Sequence, residues 1–339
     1  MQHKLNTLFD YCFEKGYLDF PIPESKILLL NCLRPSSLKR EGHIEALTYH
    51  KNLSDILEKD KITITQKLNN EFHDFIFCIL PKNKIEAQFF ISLCAQSVSK
   101  NGKIIIVAAN DAGGKSLKKW LDQSGFEGDF YSKSKARLFV GSVKDKTNQT
   151  LQSYADKGLP LSVELESQSY VTQPGIFGWN KIDQGSKLLI ESMNLHLKGA
   201  GADFGCGYGY LSKAILDREN TIRKLYLCDV DQRAVHCAVE NLKDTSVEVV
   251  PCWVDLTKDK PFREKLDWII MNPPFHAGKH EDKNLGQKMI EAAHQALKNR
   301  GSLYMVANRH LPYEETLSVF SEVEKINEER GFKVFKAVK

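Results

Sequence analysis

Apolar and polar positions along this chain follow two alternating periods. Short, nearly continuous apolar runs stand at 27–30, 75–80 and 103–109, and again at 199–204, 224–228, 247–250, 268–271 and 302–307. Runs of this length predict strands buried on both faces. Between them apolar residues recur at i, i+3 and i+4, which predicts helices over 85–99, 184–197, 210–217, 232–241 and 285–298. Strand alternating with helix predicts βα units around a parallel sheet, an α/β fold.

The two halves repeat one another weakly. Asp74-Phe75-Ile76-Phe77-Cys78-Ile79-Leu80-Pro81, a helix, and Asn101-Gly102-Lys103-Ile104-Ile105-Ile106-Val107-Ala108-Ala109-Asn110 match a later order. There it is Asp267-Trp268-Ile269-Ile270-Met271-Asn272-Pro273-Pro274, a helix, and Arg300-Gly301-Ser302-Leu303-Tyr304-Met305-Val306-Ala307-Asn308. Two tandem, doubly wound, Rossmann-like domains are expected. Periodicity breaks between 140 and 166, and a boundary near 163 divides the chain into 1–163 and 164–339. The first copy reads as degenerate: it carries Leu80-Pro81-Lys82 where the second has Asn272-Pro273-Pro274-Phe275, and Asn31-Cys32-Leu33-Arg34 where a glycine loop is expected. Gly113-Gly114-Lys115-Ser116 lacks the upstream glycine of a phosphate loop and reads as a loop leading into a helix.

Composition narrows the function classes. With 47 basic and 43 acidic residues the net charge is +4, so bulk charge does not make this a polycation that coats nucleic acid, and any RNA contact is a local patch. The 8 cysteines form no Cys-x-x-Cys pair and read as buried thiols in a reducing compartment, with no metal site expected. No stretch approaches the ~18 to 20 apolar residues of a membrane span, and the amino terminus lacks a signal-peptide core, so a soluble cytoplasmic protein is expected.

Candidate chemistry lies at the strand ends of the second half. Asp203-Phe204-Gly205-Cys206-Gly207-Tyr208-Gly209 follows a strand and precedes a helix, where a doubly wound sheet binds its ligand. The third glycine comes one position too early for a dinucleotide fingerprint, which disfavours a pyrophosphate. Asp203 suits a cofactor with a cationic amino group and a sulfonium, and S-adenosylmethionine fits both observations. Asp229, with Val230, ends the next strand and suits two ribose hydroxyls, and Asp255 suits the adenine amino group. Asn272-Pro273-Pro274-Phe275 then presents a side-chain amide and carbonyls on a loop whose proline nitrogens cannot donate, with Asn272 also bordering the cofactor crevice. Such acceptors suit the two N–H bonds of a planar exocyclic amine, and Phe275 suits its ring.

Together these motifs resemble the class I S-adenosylmethionine-dependent methyltransferases. Pro174-Gly175-Ile176-Phe177, Asp183-Gln184-Gly185-Ser186-Lys187-Leu188-Leu189, Asn272-Pro273-Pro274-Phe275-His276 and Val306-Ala307-Asn308 with Leu311-Pro312-Tyr313 resemble the bacterial ribosomal RNA guanine-N2 methyltransferases. Over the full length the likeness is to the small-subunit methyltransferase C group. It implies methyl transfer to a guanine N2 amine of 16S ribosomal RNA, catalysed at Asn272, Pro273, Pro274 and Phe275, by a monomer acting within the 30S subunit. Lys279, His280 and Lys283, with Lys115, Lys118, Lys119, Lys133, Lys135 and Arg137, are candidate phosphate contacts. The degenerate domain either recognises RNA or stabilises its neighbour. Other substrates with similar motifs are 23S guanine N2, adenine N6 and protein glutamine N5, and a non-catalytic RNA-binding assembly factor is the reading from another class.

Overall fold

The computed structural model describes residues 2–39, 42–66, 68, 72–194, 196–219, 221–274 and 283–339. It forms two units, Met1–Leu159 and Pro160–Lys339. The first holds β1 Lys26–Leu30, β2 His43–Leu47, β3 Thr63–Thr65, β4 His73–Ile79, β5 Val98–Ala109, β6 Phe126–Lys133 and β7 Ala136–Val143, with helices α1 Gln2–Glu14, α2 Lys51–Lys59, α3 Lys84–Ser97, α4 Leu117–Gln123 and α5 Gln149–Gly158. The second opens on a hairpin, β8 Leu161–Leu165 and β9 Gln168–Thr172. It continues through β10 Gly199–Phe204, β11 Ile222–Asp229, β12 Glu248–Trp253, β13 Leu266–Met271, β14 Leu297–Asn308, β15 Glu322–Glu329 and β16 Phe332–Val338. Its helices are α6 Gln184–Ser192, α7 Tyr210–Leu216, α8 Gln232–Asn241, α9 Lys283–Ala296 and α10 Glu314–Leu317. A cut at 163 would run through β8.

Both sheets have one strand order, β3-β2-β1-β4-β5-β7-β6 and β12-β11-β10-β13-β14-β16-β15. In each, six strands run in one direction and the next-to-last in the order, β7 or β16, runs antiparallel to both its neighbours. The chain is thus two tandem doubly wound domains. The likeness reaches single hydrogen bonds. Asp74 Oδ2 accepts from the Lys26 backbone N–H at 3.0 Å and Asp267 Oδ2 from Ala200 N–H at 2.8 Å, at matching registers, since Leu30 pairs with Cys78 where Phe204 pairs with Met271.

Helices cover both faces of each sheet, so the central strands are apolar throughout; Leu28, Leu29 and Leu30 of β1 and Ile269, Ile270 and Met271 of β13 are wholly buried. The last two strands of each sheet escaped the apolar-run reading, β15 because it is a charged edge strand, exposed or half-buried along its length. Gly113-Gly114-Lys115-Ser116 forms a single 3₁₀ turn ahead of α4.

The switch point between β10 and β13 depends on close packing. A methyl group at Gly201 would sit 2.1 Å from the Trp268 indole. Gly201→Ala is expected to cost roughly 1–3 kcal/mol through overpacking, read as a lower urea midpoint at unchanged slope.

Candidate active site

The carboxyl ends of β10 and β13 face one cleft, lined by Phe177, Asp183, Ser186, the glycine loop 205–208 and Asn272. The loop needs its glycines because Gly205, Gly207 and Gly209 all adopt positive φ, 84°, 53° and 89°. A Cβ at Gly205 or Gly207 would find no atom nearer than 3.8 or 3.9 Å, so these positions keep an open cradle above the backbone. Asn241 of α8 fastens the loop from behind: its Nδ2 donates to the Tyr208 carbonyl at 2.7 Å and to the Val171 carbonyl at 2.8 Å.

Asn272 is the best-defined group in the cleft. Its Nδ2 donates to Asp183 Oδ2 at 2.8 Å and to the Ser186 hydroxyl at 2.7 Å. A carboxylate only accepts, so the atom facing Asp183 has to be the amide nitrogen. The amide oxygen is therefore turned the other way, and Asn272 Oδ1 is buried with no hydrogen-bond partner. Asp183 does double duty as the N-cap of α6, accepting from Ser186 N–H at 2.9 Å.

The acidic residues at the strand ends divide by surroundings. Asp203 is wholly buried; its Oδ2 accepts from the Ser212 hydroxyl at 2.7 Å and its Oδ1 has no partner. Burial pushes its carboxyl up to about 7, against the Ser212 hydrogen bond and with help from the charge of Asp229. Half-buried Asp229 accepts from Gly207 N–H and Asp231 N–H, each at 2.9 Å, so it braces the glycine loop from the β11 end. Burial raises it to about 6. Val230 adjoins it, its carbonyl accepting from Trp253 Nε1 at 2.9 Å.

Three expected contacts are placed differently. Phe204 turns its ring into the core beside Phe262, centroids 6.2 Å apart, because neighbouring strand residues point to opposite faces and Asp203 takes the other side. Asp203 is not among the cleft-lining side chains. Asp255 serves its own turn: Oδ1 accepts from Thr257 N–H at 3.1 Å and its hydroxyl at 2.6 Å, and Oδ2 pairs with Lys258 at 3.1 Å. Buried Cys206 lines the cleft, where burial holds its thiol well above its usual range. Pro273 is buried and Pro274 exposed. Phe275, His276, Lys279, His280 and the side chain of Lys283 lie outside the described residues.

Asp183, Ser186 and Asn241 had no role assigned from sequence. An Asp three positions before Ser, ahead of Leu188-Leu189-Ile190, is a legible N-cap, but nothing local shows that the same carboxylate reaches Asn272, 89 residues away. Among the described residues no group of three or more His, Cys, Asp or Glu could hold a metal ion, and no helix is long and apolar enough to cross a membrane.

Residues 168–336 match the methyltransferase small domain family and residues 25–157 its N-terminal domain family. The chain is 31% identical over 277 residues to the ribosomal RNA small subunit methyltransferase C of Proteus mirabilis, covering 79% of this chain and 78% of that one. It is 31% identical over 301 residues to the protein of that name from Hamiltonella defensa, covering 87% and 86%. The solved T. thermophilus 16S rRNA N2 guanine methyltransferase, in complex with AdoMet and guanosine, superposes with a TM-score of 0.79 at 19% identity, covering all of this chain and 91% of that one, which shows the shared fold.

The raised carboxyl of Asp203 sets a pH dependence. Its folded value, about 7, lies above the ordinary 3.8, so the folded state prefers the proton and stability falls as pH rises from about 4 to 7. Asp203→Asn is expected to raise the melting temperature at pH 8, by the equivalent of on the order of a few kcal/mol, with the gain shrinking to nothing near pH 4. A gain independent of pH would refute this origin.

Proposed function

We propose, from the premise that the chain belongs to the ribosomal RNA small subunit methyltransferase C family, that it methylates the exocyclic N2 amine of a guanine in 16S ribosomal RNA, using S-adenosylmethionine. The observation that carries the site assignment is the vacant, buried acceptor Asn272 Oδ1 beside an open glycine cradle.

When bound, S-adenosylmethionine supplies an electrophilic methyl group on a sulfonium. The residues present fit it. Gly205, Cys206, Gly207 and Gly209 offer backbone the ligand can approach, Asp229 with Val230 flanks the ribose position, and Asp203, buried behind the glycine loop, acts on a cationic ligand through its charge and not by contact. Phe204 and Asp255 hold the strand end and turn on which these groups stand.

Asn272 Oδ1 and the Pro273 carbonyl are assigned the two N–H bonds of the guanine amine, with Pro274 rigidifying the loop and Phe275 stacking on the flipped base. Two acceptors fix the nitrogen and direct its lone pair, so rate comes from proximity and orientation. The Asp183 carboxylate strengthens this from behind, since an amide whose N–H donates to an anion has a more negative oxygen. No strong base is needed: the nitrogen becomes acidic once methylated and releases its proton to water. The relatives' names support 30S ribosomal RNA as partner. A monomer in the cytoplasm completes the reading.

The test is transfer of labelled methyl from S-adenosylmethionine to 30S particles and naked 16S RNA from cells lacking the protein. Label in N2-methylguanosine is expected; label in methyladenosine or in protein would discard the substrate.

Two variants probe the amide. Asn272→Ala is expected to lower kcat by roughly 10²-fold or more, with cofactor affinity kept within about tenfold by calorimetry. Asp183→Ala frees the amide to turn, and a loss of roughly tenfold in kcat is expected, alongside about 1 kcal/mol of stability from the missing cap.

A further inference from the structure

The first unit carries an aromatic and basic surface at the rim of its core, where Tyr17 and Tyr131 pack on the buried cluster. Tyr17, in the turn after α1, stacks on Tyr131 of β6 with centroids 3.8 Å apart and planes 8° from parallel. Tyr11 of α1 meets Tyr17 edge-on at 6.0 Å. Lys133 Nζ stands 3.3 Å from the Tyr11 ring centroid and Lys15 Nζ 5.8 Å. All three rings are half-buried, and Lys15, Lys133 and Lys135 are exposed. None of these lysines pairs with a carboxylate among the described residues, whereas Lys118, which lies over Phe130 on the opposite face of β6, is held by Asp122 at 2.9 Å. Asp129, two residues before Tyr131 on the same face, is a carboxylate whose charge bears on the Tyr131 hydroxyl.

The duplicated fold supplies an internal control. Tyr131 pairs with Leu138, which pairs with Val107; in the second unit Asn327 pairs with Val334, which pairs with Val306. Lys133 is likewise matched by Glu329. The same edge strand in the other copy therefore holds Asn327 and Glu329, together with Glu322, Glu324 and Glu328. One backbone thus carries an acidic strand without aromatics in one copy, and tyrosine with unpaired lysines in the other.

Half-exposed rings beside cations that pair with no carboxylate among the described residues match unpaired nucleotides, whose bases stack and whose phosphates take the charge. We propose that Tyr11, Tyr17 and Tyr131 with Lys15, Lys133 and Lys135 form a docking platform for a single-stranded stretch of RNA. This rests on RNA being the substrate, and it assigns the first unit a binding role of its own. A paired helix offers no free base faces, so the platform discriminates against duplex RNA.

The test uses the full-length chain and fluorescein-labelled oligouridine, which contains no guanine for the catalytic cleft. Salt-dependent binding is expected, weakened roughly tenfold by Tyr17→Leu with Tyr131→Leu. Lys15→Gln with Lys133→Gln, two exposed positions, is expected to lower the salt slope by about 0.7 per lysine and to leave thermal melting unchanged, so the test stands even if the tyrosine variant folds poorly. Asn272→Ala is expected to bind oligouridine like the wild type, which separates this surface from the catalytic reading. Wild-type affinity in both surface variants, or equal affinity for duplex RNA, overturns the platform. Loss of methyl transfer to any RNA by a wild-type chain that still binds oligouridine would overturn the catalytic reading and leave the platform standing.

Discussion

The cleft of the second unit depends on one constraint, that a carboxylate cannot donate a hydrogen bond. Asp183 faces Asn272 across 2.8 Å, so it fixes which end of the amide points inward and leaves the buried oxygen unpaired. A buried acceptor without a partner is costly in a folded protein, and such groups are kept where a ligand completes them. The α6 N-cap, the glycine loop braced by Asp229 and the end of β13 converge on that one orientation.

The comparison between the two copies shows how little of the fold is needed for chemistry. Both sheets share strand order, register and the aspartate that ties the central strands together. What differs stands past the strand ends. Where Gly205 leaves open space, Asn31 adopts φ 51° and sends its side chain to the Ile79 carbonyl at 3.0 Å, closing the gap a ligand would need. Where Asn272 presents an amide, Ile79 is apolar and buried. Apolar strands preserve the architecture, and a few loop residues remove the site.

Burial of two carboxylates in the second unit carries a cost in stability. Burial raises both Asp203 and Asp229, with the charge of Asp229 adding to the first and that of Asp231 to the second, which the folded chain tolerates because Ser212 and the backbone N–H groups of Gly207 and Asp231 each satisfy one oxygen. An arrangement that disfavours negative charge when empty gains most from a cationic ligand.

Much of this was set by residue pattern alone. The parallel strands, the helices between them, the repeat and the order of glycine loop, acidic strand ends and Asn272-Pro273-Pro274-Phe275 are local features, and local sequence carries them because burial on two faces demands continuous apolar runs and tight turns demand glycine or proline. The charged edge strand β15 was invisible for the converse reason, since an exposed strand needs no apolar run. Which aspartate would face the cleft was likewise undetermined. Asp203, Asp229 and Asp255 look alike in sequence, yet one is buried against Ser212, one braces the glycine loop and one caps its own turn. Only the tertiary structure decided this, and only it joined Asp183 to Asn272, because a side chain's role is fixed by its neighbours in space, and hydrogen bonds between residues 89 apart leave no periodic trace in the chain.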